Sequence, residues 1–439
     1  MLKKKFYIET YGCQMNVADS QLVSEILIEN NFEKTEDYKS ADIIFLNTCS
    51  VRQNAEERVL GRLSVFIHQK AQKKDLKVGI LGCMAQRLKE KLLEENKIVD
   101  LVAGPDTYRR IVENINKISE GERITDTVLN KSENYEDIIP SNLDDNGIST
   151  FVSISRGCDN MCSFCIVPFT RGRERSRDPQ SILKEIEVYY HKGYKEITLL
   201  GQNVDKYNWN NELNFASLLR VVARTFPELR IRFATSYPQD MTDEVLYTIA
   251  ENENICRYIH LPVQHGSTRM LEVMKRGYTR QWYLNRIEAI RRIIPDCAIS
   301  TDIIAGFCSE TEEDHFQTLS LMEQVRFDYA YMFKYSERPN TYAYRNLADD
   351  VSEQDKSRRL TEIIDLQNKL STESNKRDLG KVFEVLVEGK GKKSPNQLFG
   401  RNSQNKVIMF EGNIEMIGKK VILEVYDFTQ ATLFGKMTT

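Results

Sequence analysis

The chain has 439 residues, of which 41% are hydrophobic and 28% are charged, and its formal net charge at pH 7 is -3. This composition is typical of a folded protein of roughly two to four domains and excludes a fibrous or disordered chain. No apolar run approaches the ~18 residues of a membrane span. The charge excludes a uniformly basic nucleic-acid binder, so any RNA contact must come from local patches.

Three strand–helix units open the chain. An apolar strand precedes an amphipathic helix in "KFYIETYG" and "DSQLVSEILIENN", in "ADIIFLNTCSV" and "NAEERVLGRLSVFIHQK", and in "LKVGILGCMA" and "QRLKEKLLEE". This alternation predicts an open parallel α/β sheet with helices on both faces. Acidic, Asn, Ser, Pro and Gly residues over 129–148 break the pattern, so we predict a first domain over residues 1–145.

The strand–helix alternation restarts at Phe151. Apolar segments predict six further strands at 151–155, 196–200, 230–235, 258–263, 299–305 and 329–335. Six such units predict a partial, TIM-like (β/α)6 barrel over residues 146–375, with its functional site at the C-terminal ends of the strands. A long helix follows, with Leu360, Ile363, Leu366 and Leu370 on one face, and Ser352 with Asp355 resembles a capping box.

The last part of the chain, residues 376–439, alternates with a period of two. "VFEVLVEG" and "KKVILEVYDF" are separated by turn residues, which predicts a small all-β barrel. This tail carries eleven Lys or Arg against seven Asp or Glu, and "TRGRERSR" (170–177) is a second basic patch. Each patch is a candidate RNA contact, and a solvated surface is the alternative.

The N-terminus and the cysteines indicate the compartment. "MLKKKFYIETYG" begins with basic residues but has no apolar core after them, so we expect no signal peptide. We therefore expect a cytoplasmic protein with no membrane partner. Thiols stay reduced there, so clustered cysteines indicate metal binding or catalysis rather than disulfides.

Cys158, Cys162 and Cys165 have a C-x₃-C-x₂-C spacing just after the first predicted barrel strand. Three thiolates in one loop can surround one metal centre. Zinc usually takes four ligands and no fourth Cys or His is near in sequence, whereas three thiolates on a [4Fe–4S] cluster leave one iron free for a ligand. Three structural thiols or an incomplete zinc site are the alternatives.

Cys13, Cys49 and Cys83 each follow one of the first three predicted strands, 36 and 34 residues apart. Because parallel strands end at the same sheet edge, we expect these thiols to meet there and to hold a second cluster with one unprotected iron. For any one of them a small buried hydrophobe is the alternative. That is also what we expect of Cys256, Cys297 and Cys308.

The cysteine loop on such a barrel resembles the radical S-adenosylmethionine (SAM) superfamily, in which the free iron chelates the amino and carboxylate groups of SAM. "LLGQNV" (199–204) and "TDIIAGF" (301–307) look like the segments that contact SAM. The resemblance implies these SAM-binding residues: Phe164, Gly201, Gln202, Asn203, Asp302 and Gly306.

Over essentially its whole length the chain resembles the radical-SAM methylthiotransferases, and within them the MiaB branch, which acts on tRNA. The motifs are "YGCQMN" (11–16), "NTCSVR" (47–52), "GRL" (61–63), "GCMAQR" (82–87), "GCDNMCSFCIVPFTRGRERSR" (157–177) and "LLGQNV". The branches acting on a ribosomal protein or on threonylcarbamoyl-adenosine typically have Pro-Lys or Lys-Val at Gln14 and Met15. Both stay as alternatives, as does a non-catalytic, zinc-bearing RNA-binding protein.

Two positions depart from the usual family pattern. Cys308 lies in "GFCSET", where Gly-Phe-Pro-Gly-Glu-Thr is common, and His265 stands in "VQHGS", where Ser is usual. Both lie near the expected mouth of the barrel, and neither is one of the predicted cluster ligands.

The resemblance implies a sulfurtransferase that converts N6-isopentenyladenosine at position 37, next to the anticodon of tRNA, into its 2-methylthio derivative. One SAM would methylate sulfur on the N-terminal cluster, and a second would yield a 5′-deoxyadenosyl radical that removes hydrogen from C2 of the adenine. It also implies a TRAM-like RNA-binding tail, a flavodoxin- or ferredoxin-like electron donor and a monomer. Candidate RNA contacts are Arg171, Arg173, Arg175, Lys392, Lys393, Arg401 and Lys406.

Overall fold

A computed structural model describes residues 3–50, 53–141, 143, 146–392, 394 and 396–438, with the backbone alone at 53–55. The fold has three parts in chain order: a parallel sheet, a partial barrel and a small closed barrel. None of the helices in this described part is both long and apolar enough to cross a membrane.

The N-terminal part is an open parallel sheet. Its elements are β1 (Lys5–Tyr11), α1 (Gln14–Glu29), β2 (Glu33–Lys34), β3 (Ile43–Thr48), α2 (Gln53–Gln72), β4 (Lys77–Gly82), α3 (Cys83–Leu88), α4 (Glu90–Glu95), β5 (Leu101–Ala103), α5 (Ile111–Ser119) and β6 (Ile124–Asp126). The strand order is β2-β1-β3-β4-β5-β6, with every pair parallel. Successive residues of β3 enter different apolar clusters, Phe45 on one face and Leu46 on the other, because side chains alternate along a strand. The predicted sheet is confirmed.

The central part is a partial barrel. Its elements are β7 (Ser149–Ser153), β8 (Ser155–Arg156), α6 (Val167–Arg171), β9 (Arg175–Ser176), α7 (Pro179–His191), β10 (Glu196–Leu200), β11 (Asn208–Trp209), β12 (Leu213–Asn214), α8 (Phe215–Thr225), β13 (Arg230–Ala234), α9 (Asp243–Glu251), β14 (Tyr258–His260), α10 (Thr268–Val273), α11 (Arg280–Ile293), β15 (Ala298–Ala305), α12 (Glu312–Val325), β16 (Tyr329–Lys334), α13 (Tyr342–Asn346) and α14 (Glu353–Lys376).

Two parallel three-stranded sheets form this barrel, in the orders β13-β10-β7 and β14-β15-β16. The parallel bridge Ile231–Ile255 joins them between β13 and β14. Each predicted barrel strand overlaps one of these six, so the partial (β/α)6 fold is confirmed. Ser352 caps the long helix α14, because its side chain accepts a hydrogen bond from the amide of Asp355. The helix buries Ile363 and Leu370.

The tail is a closed five-stranded barrel, as predicted. Its strands are β17 (Val382–Lys390), β18 (Gln397–Asn402), β19 (Val407–Glu411), β20 (Lys420–Phe428) and β21 (Leu433–Met437). They close in the order β17-β18-β19-β21-β20 around an apolar interior that includes Val385, Val387 and Leu423.

The tail barrel docks at the N-terminal ends of the central strands. The Arg232 guanidinium donates to the carbonyls of Asn402 (2.7 Å) and Ser403 (3.2 Å), and Arg230 donates to the carbonyl of Arg401 (2.6 Å). The two arginine side chains are 5% exposed. The opposite ends of these strands are therefore left for the functional site, as in closed (β/α) barrels.

Candidate functional site

The three N-terminal cysteines lie at one edge of the first sheet. Cys13 follows β1 and caps α1, Cys49 follows β3, and Cys83 begins α3 directly after β4. Since β1, β3 and β4 are neighbours and parallel, their C-terminal ends meet. Cys13 is exposed, whereas Cys49 and Cys83 are buried.

Glycines allow this close approach. Gly12 has φ +140°, and a Cβ there would lie 2.4 Å from the Cβ of Cys49. Gly82 has φ +88°, and its Cβ would lie 2.3 Å from Oδ1 of Asn47. Both conformations and both contacts exclude other side chains. The two glycines thus bring the residues after β1 and β4 against the end of β3.

Buried asparagines order the same edge. The Cys13 thiol donates to Oδ1 of Asn16 (3.2 Å), and Nδ2 of Asn16 donates to Oδ1 of Asn47 (3.0 Å). Neither asparagine is exposed to solvent. Their amides therefore tie the start of α1 to β3 and fix where Cys13 stands.

The pKa values of the Cys13 and Cys83 thiols shift in opposite directions. A hydrogen bond between the Cys13 and Cys49 thiols, aided by the positive charge of Arg171, lowers the pKa of Cys13 to about 6. Burial raises the pKa of Cys83, although the Arg171 guanidinium opposes that rise. The neighbours of Cys13 thus stabilise its thiolate, whereas burial disfavours the thiolate of Cys83.

The barrel cysteines lie in the loop between β8 and α6. Cys158 and Cys162 are buried and Cys165 is half-buried, and the amide of Cys165 donates to the carbonyl of Cys162 (3.0 Å). Burial raises the pKa of Cys158 to about 11 and that of Cys165 to about 12, with the neighbouring thiols adding to the rise. Burial in this loop therefore disfavours the thiolates unless a positive charge compensates them.

Sequence reasoning missed Arg276. Its Nη1 donates to Sγ of Cys162 (3.2 Å), its Nη2 donates to the carbonyl of Pro262 (2.7 Å), and its guanidinium lies 4.5 Å from the ring centre of Tyr237. Only 4% of the residue is exposed. No spacing relates Arg276 to the cysteines, so only the fold brings it there.

The predicted SAM residues border the cysteine loop. Oε1 of Gln202 accepts a hydrogen bond from the amide of Gly157, next to Cys158. Asn203 donates to the Asp240 carboxylate (2.6 Å). Gln202 Nε2 and Asn203 Oδ1 are buried without a hydrogen-bond partner among the described residues. Buried polar atoms that lack a protein partner fit a site that takes a polar ligand such as SAM.

The remaining predicted SAM residues have protein neighbours. Phe164 packs edge-to-face on Phe307 at 6.2 Å. Oδ1 of Asp302 lies 3.5 Å from Nε2 of His260, and the Asp302 side chain is 26% exposed.

The two glycines of this set are crowded by side chains rather than kept open for a ligand. An added Cβ would meet Oγ of Ser155 at Gly201 (2.4 Å) and the Lys356 side chain at Gly306 (2.2 Å). The packing of the protein itself is therefore enough to require glycine at both positions.

Two of the three arginines predicted to approach RNA are buried, which corrects that prediction. Arg171 is 3% exposed and pairs with Asp19 (2.7 Å), and Arg175 is 7% exposed and pairs with Asp106 (2.9 Å). Carboxylates of the N-terminal part neutralise both. Arg173, with 76% of its side chain exposed, can still meet a phosphate.

The basic residues of the tail differ in their exposure to solvent. Lys406 donates to Asp378 (2.6 Å) and Ser374 (2.7 Å) and is 13% exposed, so it holds the tail against α14 and is not available for RNA. Arg401 pairs with Glu388 at 2.7 Å and keeps 30% exposure. Lys392 is exposed, and Lys393 lies outside the described residues.

Cys308 and His265, which break the family pattern, are both buried. Cys308 lies in an apolar cluster with Phe307 and Tyr335, so it fills space. Nδ1 of His265 accepts a hydrogen bond from the amide of Ser267 (3.1 Å). Both substitutions are accommodated by local packing and hydrogen bonding.

Across the described residues, no group of three or more His, Cys, Asp or Glu side chains is arranged to hold a metal ion. Cluster ligands are more widely spaced than the ligands of one ion, because iron and sulfide lie between the thiolates. The two cysteine triplets, each with one buried arginine N–H on a sulfur, supply the donor set that a cluster takes.

Solved structures show the same fold. The chain aligns with the radical S-adenosylmethionine methyltransferase TsrM from Kitasatospora setae at a TM-score of 0.58 and 14% identity, over 89% of this chain and 79% of that one. The cobalamin-dependent radical enzyme OxsB aligns at 0.55 and 14% identity, over 84% and 56%. At such identities the likeness concerns the fold alone.

Family models and similar sequences identify the family as well as the fold. Residues 5–104 match the uncharacterized protein family UPF0004, residues 152–322 the radical SAM superfamily, and residues 376–438 the TRAM domain. Three relatives carry the name tRNA-2-methylthio-N(6)-dimethylallyladenosine synthase. The one from Amoebophilus asiaticus is 53% identical (100% of this chain, 93% of that protein), that from Parabacteroides distasonis 54% (99% and 95%), and that from Porphyromonas gingivalis 52% (99% and 95%). The chain therefore belongs to the family of tRNA-2-methylthio-N(6)-dimethylallyladenosine synthases.

Proposed function

We propose that this protein is a radical-SAM tRNA methylthiotransferase that converts N6-isopentenyladenosine at position 37 into 2-methylthio-N6-isopentenyladenosine. The observation that carries the proposal is the pairing of two cysteine sites. Cys13, Cys49 and Cys83 gather at the end of one sheet, and the loop of Cys158, Cys162 and Cys165 runs into α6, which packs against α3. One site suits sulfur transfer and the other suits SAM.

The chain would hold two [4Fe–4S] clusters, one on each cysteine triplet. When bound, the clusters and SAM supply the transferable sulfur and the one-electron chemistry that an unactivated aromatic C–H requires and side chains lack. Gln202 holds the backbone at Gly157, and Arg276 holds Cys162 by its sulfur. Phe164 and Phe307 place apolar rings beside the loop and exclude water.

The substrate would be an anticodon loop, whose unpaired bases can enter a pocket at low cost. Arg173 and Lys392 are exposed and would contact phosphates, with Arg401 partly available. We also propose a flavodoxin- or ferredoxin-like electron donor, a cytoplasmic monomer, and domain boundaries near residues 145 and 375.

Product analysis tests the proposal. The anaerobically reconstituted protein, given SAM, sulfide, a low-potential reductant and tRNA bearing isopentenyladenosine, should form the methylthio product. It should contain about eight irons per chain. A colourless protein with stoichiometric zinc, or a deletion strain with unchanged methylthio-isopentenyladenosine, would contradict it.

A substitution at Cys49 tests the N-terminal cysteine site by itself. Cys49→Ala should lower iron to about four per chain and abolish the product, while SAM cleavage at the barrel site continues. Cys256→Ala is the matched control, because Cys256 is equally buried but lies at the opposite ends of the barrel strands. Full iron and full product in Cys49→Ala would show that Cys49 only fills the core.

A further inference from the structure

Arg171 crosses from the central barrel into the N-terminal sheet. It ends α6, six residues after Cys165, yet its Nε donates to Sγ of Cys83 at 3.3 Å. Its Nη2 lies 2.7 Å from Oδ2 of Asp19, a residue of α1. The side chain is 3% exposed. A residue of the helix that follows one cysteine loop thus contacts a cysteine of the other site.

Asp19 fixes the position of this side chain. The carboxylate is fully buried, and its other oxygen lies 2.9 Å from the Arg156 guanidinium. Arginine is always protonated in proteins, and the buried Asp19 carboxylate compensates the charge of Arg171. Arg171 therefore stays charged beside Cys83 and cannot swing out to solvent without breaking a buried ion pair.

One end of the guanidinium has no protein partner. Nη1 of Arg171 is buried without a hydrogen bond to any described residue. A buried donor of a charged group is rarely left unpaired in a native protein. Because Nε and Nη2 are already used, Nη1 is the guanidinium nitrogen that remains for a further acceptor.

We propose that Arg171 is a positioning residue for the N-terminal [4Fe–4S] cluster, supplied by the barrel. Its Nε–H and its charge act on the Cys83 thiolate of the cluster that the proposed function places on these cysteines. Reduction adds negative charge, so a buried cation and N–H donors to sulfur stabilise the reduced cluster and raise its potential.

The two arginine–sulfur contacts differ in origin. Arg276 and Cys162 both belong to the barrel, and the Arg276 Nε also donates to the Tyr278 hydroxyl (3.1 Å). Arg171 instead brings its charge from another part of the fold. The N-terminal cluster should therefore have its full potential only when the barrel is docked on the first sheet.

A redox titration tests the proposal. The full-length chain with Cys158, Cys162 and Cys165 replaced by Ala holds only the N-terminal cluster, so its midpoint can be followed by electron paramagnetic resonance without overlap. In this parent, Arg171→Met should shift the midpoint to lower potential with about four irons retained. Methionine keeps the packing but has no N–H and no charge, and Arg156 still pairs with Asp19.

The matched control is Arg175→Met. Arg175 is also buried, lies four residues after Arg171 at the start of β9, and pairs across the same interface with Asp106 at 2.9 Å. Its described partners are a carboxylate and a carbonyl, not a sulfur. It should leave the midpoint unchanged. An unchanged midpoint in Arg171→Met, or equal shifts in both variants, would overturn the proposal.

A second variant covers loss of the cluster. If Arg171→Met holds fewer than four irons, the titration is repeated with Arg171→Lys. Lysine keeps the charge near Asp19 but lacks the planar fork of donors. Its midpoint should lie below that of the parent, and an equal midpoint refutes the role. A parent chain that binds zinc and no iron would refute the proposed function itself, which is a different result.

Discussion

Replacing Asp19 with Asn should strongly destabilise the contact between the N-terminal sheet and the barrel. Asp19 is fully buried and pairs with Arg171 at 2.7 Å and with Arg156 at 2.9 Å. Both guanidiniums are 5% exposed or less. The neutral amide would leave two buried positive charges with no compensating negative charge from this residue.

The size of the effect follows from these distances. At an effective dielectric constant of about 20, each pair attracts by about 6 kcal/mol, and desolvation of the ions offsets much of this. Removing one partner of a buried pair costs about 3–5 kcal/mol. The unfolding midpoint in urea should fall by this free energy divided by the m-value measured for the native chain.

Urea unfolding followed by far-ultraviolet circular dichroism measures this change in the full chain. Asp137→Asn is the control, because the pair of Asp137 with Arg109 is exposed (63% and 41% of the side chains) and worth about 0–1 kcal/mol. If Asp19→Asn lowers the midpoint no more than Asp137→Asn does, the argument that this buried triad holds the two parts together is refuted.

Three further predictions concern other parts of the molecule. Gly12→Ala should lower iron from about eight to about four per chain, because its Cβ would overlap Cys49; metal analysis checks this. Burial raises the pKa of Asp314, but hydrogen bonds, led by that from Arg269, outweigh it and lower the pKa. Asp314→Asn should therefore cost about 1–3 kcal/mol at pH 7, and urea unfolding should show the difference from the native chain shrinking as the pH falls below about 4. Arg173→Ala should weaken RNA binding for every sequence and reduce the slope of log affinity against log salt by about one unit, measured by fluorescence anisotropy.

Each of these has a control or a contrary outcome. Gly61→Ala, in helix α2 with nothing within 4 Å of the new Cβ, should keep all the iron and stabilise the chain by about 0.4–1 kcal/mol. A stability difference for Asp314→Asn that stays constant from pH 7 to pH 3 would contradict the assigned pKa. Arg224→Ala, exposed on α8, should leave RNA binding unchanged; equal weakening there would deny Arg173 a specific role.

Periodicity predicted the fold, but charge counting misjudged the arginines. Apolar runs and alternation indicated all six barrel strands and the tail barrel, while β2, β5 and β6, of two or three residues, are too short to show a pattern. "TRGRERSR" is typical of a basic surface, yet Asp19 and Asp106 neutralise Arg171 and Arg175 from 152 and 69 residues away. Arg276 stands 114 residues from Cys162, and no motif relates the two residues. Regular spacing predicted that Cys13, Cys49 and Cys83 follow strands that end at one sheet edge, but it carries no information on the buried charges beside them.

The docking of the tail barrel affects how truncations can be interpreted. Arg230 and Arg232 donate to main-chain carbonyls of the tail, and the amide of Arg257 donates to Oγ of Ser403 (2.8 Å). Deleting residues 376–439 would expose the N-terminal ends of the central barrel strands and leave these donors without acceptors. A shortened chain that loses activity would therefore report a damaged barrel as much as lost RNA affinity. The tail barrel cannot be removed without changing the central barrel, and single substitutions on its outer surface, such as Lys392→Ala, separate the two effects.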